Sequence, residues 1–198
     1  MAGSLYRMGA AVKKKASKRG TVKVLSSVPL CQGRVFTVRR DQVIEPSGLE
    51  ATREIVVHGG SVVVLPVLPG NRIVLIRQFR YAAGQYLWEL VAGHKEREED
   101  PEVGARRELL EETGYRAQHM RKLLEFFPSP GLLSERMDLF LATSLTKGPA
   151  RPEDDEKISQ RILPLREALR WIRSGKIRDA KSVAGILFYA AFLKKTNR

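Results

Sequence analysis

The sequence predicts an α+β fold with the layers of an α/β/α sandwich. β-Branched and apolar runs separated by turn signals dominate the first half of the chain, as expected for strands. About three later segments carry helix start, helix stop or helical periodicity signals. The composition, 43% hydrophobic and 29% charged over 198 residues, suits one globular domain with at most a small appendage.

Residues from about Val22 to Val57 predict a small antiparallel β-sheet. GRVFTVRRDQVI (33–44) and ATREIVV (51–57) are predicted strands, and EPSGLE (45–50) is the turn between them. The chain is therefore divided into a basic tail, an N-terminal β-sheet subdomain and a main domain, over residues 1–20, 21–58 and 59–198.

The main domain begins with a predicted buried hairpin, formed by SVVVLPVL (61–68) and RIVLIRQF (72–79) around a Pro-Gly-Asn turn. A single short strand is expected at YLWELVAG (86–93). Further strands are predicted at EFF (125–127) and RMDLFLATSL (136–145).

Three helices are predicted. In the first, Asp100 is the expected N-cap, Pro101 the first helical residue, and Gly114 the residue that ends the helix. LREALRWIRSG (165–175) reads as a helix closed by glycine. SVAGILFYAAFL (182–193) is apolar nearly all round, which predicts a buried helix.

Acidic residues are concentrated in one segment of a basic chain. The net charge is +13, yet residues 93–115 contain eight acids and four bases and carry −4, which leaves +17 elsewhere. Within the predicted helix, Glu108, Glu111 and Glu112 are spaced i, i+3, i+4 and share one face, where they repel one another. Divalent cations would remove this repulsion, and carboxylate oxygens suit Mg²⁺ or Mn²⁺.

Several other classes of protein are not expected. Cys31 is the only cysteine, which fits a reducing, cytoplasmic location, and the three histidines lack the spacing of a zinc site. The apolar runs are too short to span a bilayer. The basic residues 1–20 could contact nucleic acid, but no nucleic-acid-binding motif accompanies them, so we expect neither a nucleic-acid partner nor a membrane.

GHKEREEDPEVGARRELLEETGY (93–115) resembles the Nudix box, with Tyr115 where an aliphatic residue is more usual. The resemblance implies an α/β/α sandwich around a mixed sheet and hydrolysis of a nucleoside diphosphate linked to another moiety. It also implies two or three Mg²⁺ or Mn²⁺ ions. Implied metal ligands are Glu108 and Glu112, with Glu99 and the Ala92 carbonyl. Glu111 supports them, and Arg107 orients a neighbouring carboxylate.

The wider pattern over about 22–193 resembles ADP-ribose pyrophosphatases, with Pro130 fifteen residues past Tyr115 as the usual marker. The resemblance implies homodimers that exchange N-terminal sheets. The implied reaction converts ADP-ribose and water to AMP and ribose 5-phosphate. Implied substrate contacts, besides Pro130, come from Arg53, Arg80, Phe36 and Glu135. Phe36 could stack on the base, although an aromatic residue in a strand of this alternating pattern is more often a core residue.

The acidic run RPEDDEKI (151–158) resembles the loop that carries the general base in this subfamily. Asp154 aligns with that base and Glu156 follows two residues later, while Glu153 and Asp155 remain alternatives. Other functions also stay open. They are hydrolysis of a GDP- or UDP-linked hexose, hydrolysis of RNA caps, and a non-catalytic nucleotide- or RNA-binding module.

Overall fold

A computed structural model describes residues 20–96, 98–148 and 157–193 of the chain. The described residues form two compact units, which divide in sequence between Val56 and Val57. Each unit has its own sheet, and the second contains the helices. None of the helices among the described residues is long and apolar enough to cross a membrane.

The first unit is a three-stranded sheet in the order β1-β2-β3. Its strands are β1 (Lys23–Gln32), β2 (Phe36–Ile44) and β3 (Glu50–His58). β1 pairs antiparallel with β2. Every residue of β1 is exposed in the chain, including Val24, Leu25, Val28 and Leu30 at 45–53%. This sheet therefore presents apolar side chains on its surface.

The second unit contains a mixed sheet of seven described strands. Its path runs β10-β5-β4-β9-β8, with β6 paired to β5 and β7 to β4. The central β4 and β9 are parallel, and the other pairs are antiparallel. The strands are β4 (Ser61–Leu68), β5 (Arg72–Arg80), β6 (Gln85–Glu89), β7 (Val91–His94), β8 (Tyr115–Phe126), β9 (Met137–Lys147) and β10 (Ser159–Pro164).

The helices of this unit are α1 (Pro101–Thr113), α2 (Leu165–Arg173) and α3 (Ala180–Phe188). A 3₁₀ turn spans Tyr81–Ala83, and a π-helical turn, Tyr189–Leu193, continues α3.

The side chains of β4 point alternately to the two faces of the sheet, and each face carries its own hydrophobic core. Val62 and Val64 pack with Ala105 and Leu109 of α1. The intervening Val63 and Leu65 belong to the other core, with Trp171 of α2 and Ile186 of α3. Successive strand residues point to opposite faces, so a fully apolar strand must be covered on both sides. The predicted α/β/α sandwich is thus confirmed.

Three details differ from the sequence prediction. The segment 86–93 is two strands, because β6 pairs with β5 while β7 pairs with β4. Of residues 125–127, only Glu125 and Phe126 are in a strand, at the end of β8, whose earlier part is polar and irregularly buried. The segment 182–193 is not buried all round, since Leu187 and Phe192 are 45% and 74% exposed.

Neighbouring residues of β10 test the core assignment. Leu163 is 1% exposed and belongs to the core shared with α2 and α3, whereas Ile162 is 43% exposed. We expect Leu163→Ala to lower the free energy of unfolding by about 2–5 kcal/mol through lost burial and a cavity. Ile162→Ala, the matched control, should cost less than about 1 kcal/mol. Urea unfolding measures both, and equal losses would contradict the assignment.

Candidate active site

Helix α1 begins and ends where its local sequence specifies. The Asp100 carboxylate accepts hydrogen bonds from the amides of Glu102 and Val103, at 2.8 and 3.3 Å. Gly114 ends the helix in the left-handed region at φ 71°, a conformation that favours glycine. These two ends confirm the predicted start and end of the helix.

Arg107 lies at the centre of the acidic cluster. Its Nε and Nη2 contact the two oxygens of Glu99 at 3.1 and 3.2 Å. Its Nη1 donates to Glu108 Oε1 at 2.7 Å and to Glu111 Oε2 at 3.0 Å. Nη2 also donates to the His94 carbonyl at 3.1 Å. One guanidinium therefore connects three carboxylates to the last residue of β7.

These contacts shift the ionisation of the cluster. Hydrogen bonds with Glu99, together with the charge of Glu108, raise the pKa of Arg107 despite partial burial. The hydrogen bonds from Arg107 in turn lower the pKa of Glu99, although burial opposes this. Both groups are held in their charged forms at neutral pH.

Glu108 occupies the space where a side chain of residue 93 would be. A Cβ built on Gly93 would lie 1.9 Å from Glu108 Oε1 and 2.0 Å from its carboxyl carbon. No side chain fits in that space. The glycine is therefore required by the close approach of the carboxylate to β7.

Glu112 is 3% exposed and lies against the same strand. The Ala92 amide donates to Glu112 Oε2 at 3.2 Å. The backbone carbonyl of Glu112 accepts a hydrogen bond from Gln160 Nε2 of β10 at 2.9 Å. Glu112 is thus fixed from both sides, with its carboxylate beside Ala92.

A cleft of about 250 Å³ borders this cluster. Its lining combines the β7 residues that contact Glu108 and Glu112 with charged residues from β5, the loop before β9 and the start of α3. The principal lining residues are Arg80, Ala92, Gly93, Pro128, Glu135, Asp179 and Lys181.

On the wall of the cleft, Arg80 is paired with the buried Glu89. Arg80 Nε and Nη2 donate to the two oxygens of Glu89 at 2.9 and 2.8 Å. Lys181 Nζ contacts Glu89 as well, and it lies 2.9 Å from Asp179. Burial would raise the pKa of Glu89, but Arg80 and Lys181 outweigh it and lower the pKa. The carboxylate stays ionised in a buried position.

On another part of the cleft, Glu135 is 8% exposed and accepts a hydrogen bond from Ser61 Oγ. His58 Nδ1 lies 3.6 Å from Glu135 and accepts from the Gly60 amide at 3.0 Å. The His94 ring packs on His58, with ring centroids 4.9 Å apart. The His94 side chain is therefore packed against a second histidine.

The remaining predicted site residues are placed as follows. Arg53 and Phe36 lie in the first unit, where Arg53 Nε contacts Glu45 at 3.1 Å and the Phe36 ring lies over Gly33. Pro130 is exposed, and among the described residues it is Pro128 that lines the cleft. Asp154 and Glu156 lie outside the described residues.

The described residues contain no group of three His, Cys, Asp or Glu side chains that is arranged to hold a metal ion. Arg107 lies between the carboxylates of Glu99, Glu108 and Glu111. The donors nevertheless fit a hard divalent cation that retains water. Glu108 and Glu112 both lie against β7, and the absence of a side chain at Gly93 leaves room for the Glu108 carboxylate there.

Sequence reasoning missed Glu89 and Lys181. The sequence did contain a signal for Glu89, because this acid interrupts an otherwise apolar run. An acid is rarely buried in a strand unless it is paired, so its position indicated a cationic partner. Its partner Lys181 could not be found in this way, since 92 residues separate them.

Comparison with known proteins gives a family match and several relatives. The family described as the NUDIX domain matches residues 57–184. A methanol dehydrogenase activator from Bacillus methanolicus is 37% identical over 168 residues, covering 84% of this chain and 91% of the relative. An ADP-ribose pyrophosphatase from Bacillus subtilis is 34% identical with the same coverage of each chain.

A GDP-mannose pyrophosphatase from Escherichia coli is 38% identical over 142 residues, covering 66% of this chain and 73% of the relative. A solved structure described as an ADP compounds hydrolase superposes with a TM-score of 0.76 at 20% identity, covering 90% of this chain and 97% of that one. The likeness to this structure confirms the fold.

The close approach of Glu108 to residue 93 allows a direct test of whether the position of Glu108 matters for metal binding. In Gly93→Ala the new Cβ would displace the Glu108 carboxylate from β7. We expect Mn²⁺ affinity to fall about tenfold or more, as when a ligand loses its orientation. Electron paramagnetic resonance of free Mn²⁺ measures this.

Gly59→Ala is the matched control, because its Cβ would have nothing within 4 Å. A folded Gly93→Ala variant with unchanged Mn²⁺ affinity would show that the position of Glu108 is irrelevant to metal binding.

The lowered pKa of Glu89 predicts a dependence of stability on pH. Its contribution is fully present above the unfolded-state pKa, about 4.5, and is lost as the pH falls through the lower folded-state pKa. Arg80→Leu removes a cause of the lowering, so the loss should begin at a higher pH. Thermal unfolding at pH 3 to 7 measures the onset, and an identical profile for both proteins would exclude this role of Arg80.

Proposed function

Because the chain belongs to the Nudix family and is a Nudix hydrolase, we propose that it hydrolyses the diphosphate bond of a nucleoside diphosphate sugar. The proposed main substrate is ADP-ribose, which would yield AMP and ribose 5-phosphate. Two relatives named ADP-ribose pyrophosphatase, at 34% and 35% identity over more than four-fifths of the chain, support this choice.

One observation carries the proposal. The carboxylates of Glu108 and Glu112 lie against Gly93 and Ala92, and these two residues line the cleft onto which Arg80 faces. Anionic ligands for cations and a guanidinium for phosphate thus border the same space. That combination suits a diphosphate, which needs both metal and arginine contacts.

Glu108 and Glu112 would hold Mg²⁺ or Mn²⁺, two or three ions in all, together with Glu99 and the Ala92 carbonyl. Such ions supply Lewis acidity for the diphosphate and for the attacking water. Arg107 would orient Glu99, Glu108 and Glu111 through its ion pairs with all three carboxylates. Glu111, the most exposed of these three carboxylates, supports the site at its rim.

Arg80 would bind the diphosphate. Its Nε and Nη2 contact Glu89, which leaves the Nη1 side of the guanidinium for a phosphate oxygen. Glu135 and the loop that contains Pro130 would contact the sugar. Arg53 and Phe36 of the first unit would contact the nucleotide, and Asp154 or Glu156 would act as the general base.

We also propose that the chain forms a homodimer through its first unit and acts in the cytoplasm. The exposed apolar side chains of β1 support the dimer, because a partner surface would remove them from water. Cys31, the single and exposed cysteine, is compatible with a reducing compartment. Analytical ultracentrifugation of the full chain would measure the dimer.

A second candidate substrate is GDP-mannose. The Escherichia coli relative named GDP-mannose pyrophosphatase supports it at 38% identity, over a smaller share of the chain than the ADP-ribose relatives. Either nucleotide sugar would use the same carboxylates and Arg80, so the contacts to base and sugar decide between them.

The first experiment measures turnover of ADP-ribose, GDP-mannose, UDP-glucose and capped RNA with Mg²⁺ or Mn²⁺. We expect ADP-ribose to have the highest kcat/KM. Glu112→Gln should lower kcat about a hundredfold or more, because it removes a charged ligand. Glu102→Gln is a control on the same helix, where Glu102 pairs with Arg106 outside the cluster.

Each outcome has a separate meaning. Preference for another nucleotide sugar would contradict the ADP-ribose assignment while leaving the reaction intact. Full activity in Glu112→Gln would contradict the metal role of this residue. Absence of turnover with either ion would favour a non-catalytic nucleotide-binding module.

The general base has its own test. Asp154→Asn and Glu156→Gln are compared for kcat and for Mn²⁺ affinity. The variant that lacks the base should lose about a hundredfold in kcat while Mn²⁺ binds normally. If both variants keep their kcat, neither residue is the base.

A further inference from the structure

Lys181 is a buried lysine at the start of α3. It is 6% exposed, and it belongs to the lining of the cleft. Its ammonium contacts the carboxylates of Glu89 and Asp179. Burying an ammonium is costly unless it is paired, so these contacts account for its stability in this position but not for its place on the wall of the cleft.

The same carboxylate joins Lys181 to Arg80. Glu89 is 1% exposed and accepts hydrogen bonds from both cations. Arg80 is the more accessible of the two, with its side chain 38% exposed against 7% for Lys181. Both cations line the cleft, and Arg80 is therefore the one whose guanidinium is more accessible to a ligand.

One hydrogen bond joins the start of α3 to Leu90, the residue between β6 and β7. Ser182 Oγ accepts from the Leu90 amide at 2.7 Å and also donates to the Asp179 carboxylate. Asp179 in turn accepts from the Ser182 amide at 3.0 Å and caps the helix. Lys181 is held between these contacts, so its ammonium stays beside Glu89.

We infer that Lys181 is a positioning residue that balances the charge of Glu89 and so leaves the charge of Arg80 available to the substrate diphosphate. The inference rests on the proposed function, because it concerns the binding of the diphosphate by Arg80. It assigns to Lys181 an effect on substrate affinity that is exerted through two other side chains.

The charge balance supports this inference. Arg80 and Lys181 supply two positive charges, and Glu89 and Asp179 supply two negative charges. Without Lys181 the group would have a net negative charge beside an anionic ligand. In a partly buried site this charge is poorly screened. The positive charge of Arg80 would then be neutralised by Glu89 and would attract the substrate diphosphate less strongly.

The test compares Lys181→Met with the double variant Glu89→Gln/Lys181→Met. In Lys181→Met we expect KM for ADP-ribose to rise about tenfold or more, with kcat changed less than about threefold. The double variant removes one charge of each sign, so its KM should return to within about threefold of the wild-type value.

Binding of ADP, measured by calorimetry with Ca²⁺ in place of Mg²⁺, provides a readout that does not depend on turnover. The dissociation constant should follow the same pattern as KM. Mn²⁺ affinity should be unchanged in both variants, which separates this effect from a general disturbance of the site. Lys176→Met is the control, because Lys176 lies over the Trp171 ring, outside this charge group.

The outcomes separate this inference from the proposed function. Wild-type KM and ADP affinity in a folded Lys181→Met variant would overturn the inference alone. If Lys181→Met does not fold, the double variant decides, since weak ADP binding by that variant would also overturn it. Failure of the wild-type protein to hydrolyse any nucleotide sugar would overturn the proposed function, while the ADP measurements would still test Lys181.

Discussion

The arrangement of the acidic cluster depends on the guanidinium of Arg107. Three carboxylates on α1 and its preceding loop would repel one another, and Arg107 joins them at 2.7–3.2 Å. It also binds the His94 carbonyl and thereby connects the helix to the strand that borders the cleft. Because a planar guanidinium has several fixed donors, one residue sets the geometry of the whole group.

Much of the fold could be predicted from local signals. Asp100, Pro101 and Gly114 defined α1, and the apolar run 61–68 matched β4. The prediction failed where pairing between distant strands determines the bounds of an element. The segment 86–93 changes its partner strand after Glu89, and no local signal reveals this. β8 carries many polar residues because its burial is partial, so only its apolar end was recognisable.

The site was predictable to the extent that it is local in sequence. The spacing of Glu108, Glu111 and Glu112 indicated the acidic face, and in the structure Glu108 and Glu112 lie against Gly93 and Ala92. The buried group of Arg80, Glu89 and Lys181 was only partly foreseen. Its members come from two strands and a helix, and their contacts depend on how the sheet and α3 pack.

The late position of α3 in the chain affects when the cleft can form during synthesis. The central β4 and β9 pair residues as distant as Ser61 and Met137, so the sheet closes only after much of the chain has been made. A nascent chain that has reached β9 contains α1 with its carboxylates, and it contains Glu89 and Arg80, but not yet Lys181. If the unit folds as it is synthesised, the charge of Glu89 is balanced by Lys181 only after α3 has packed on the sheet.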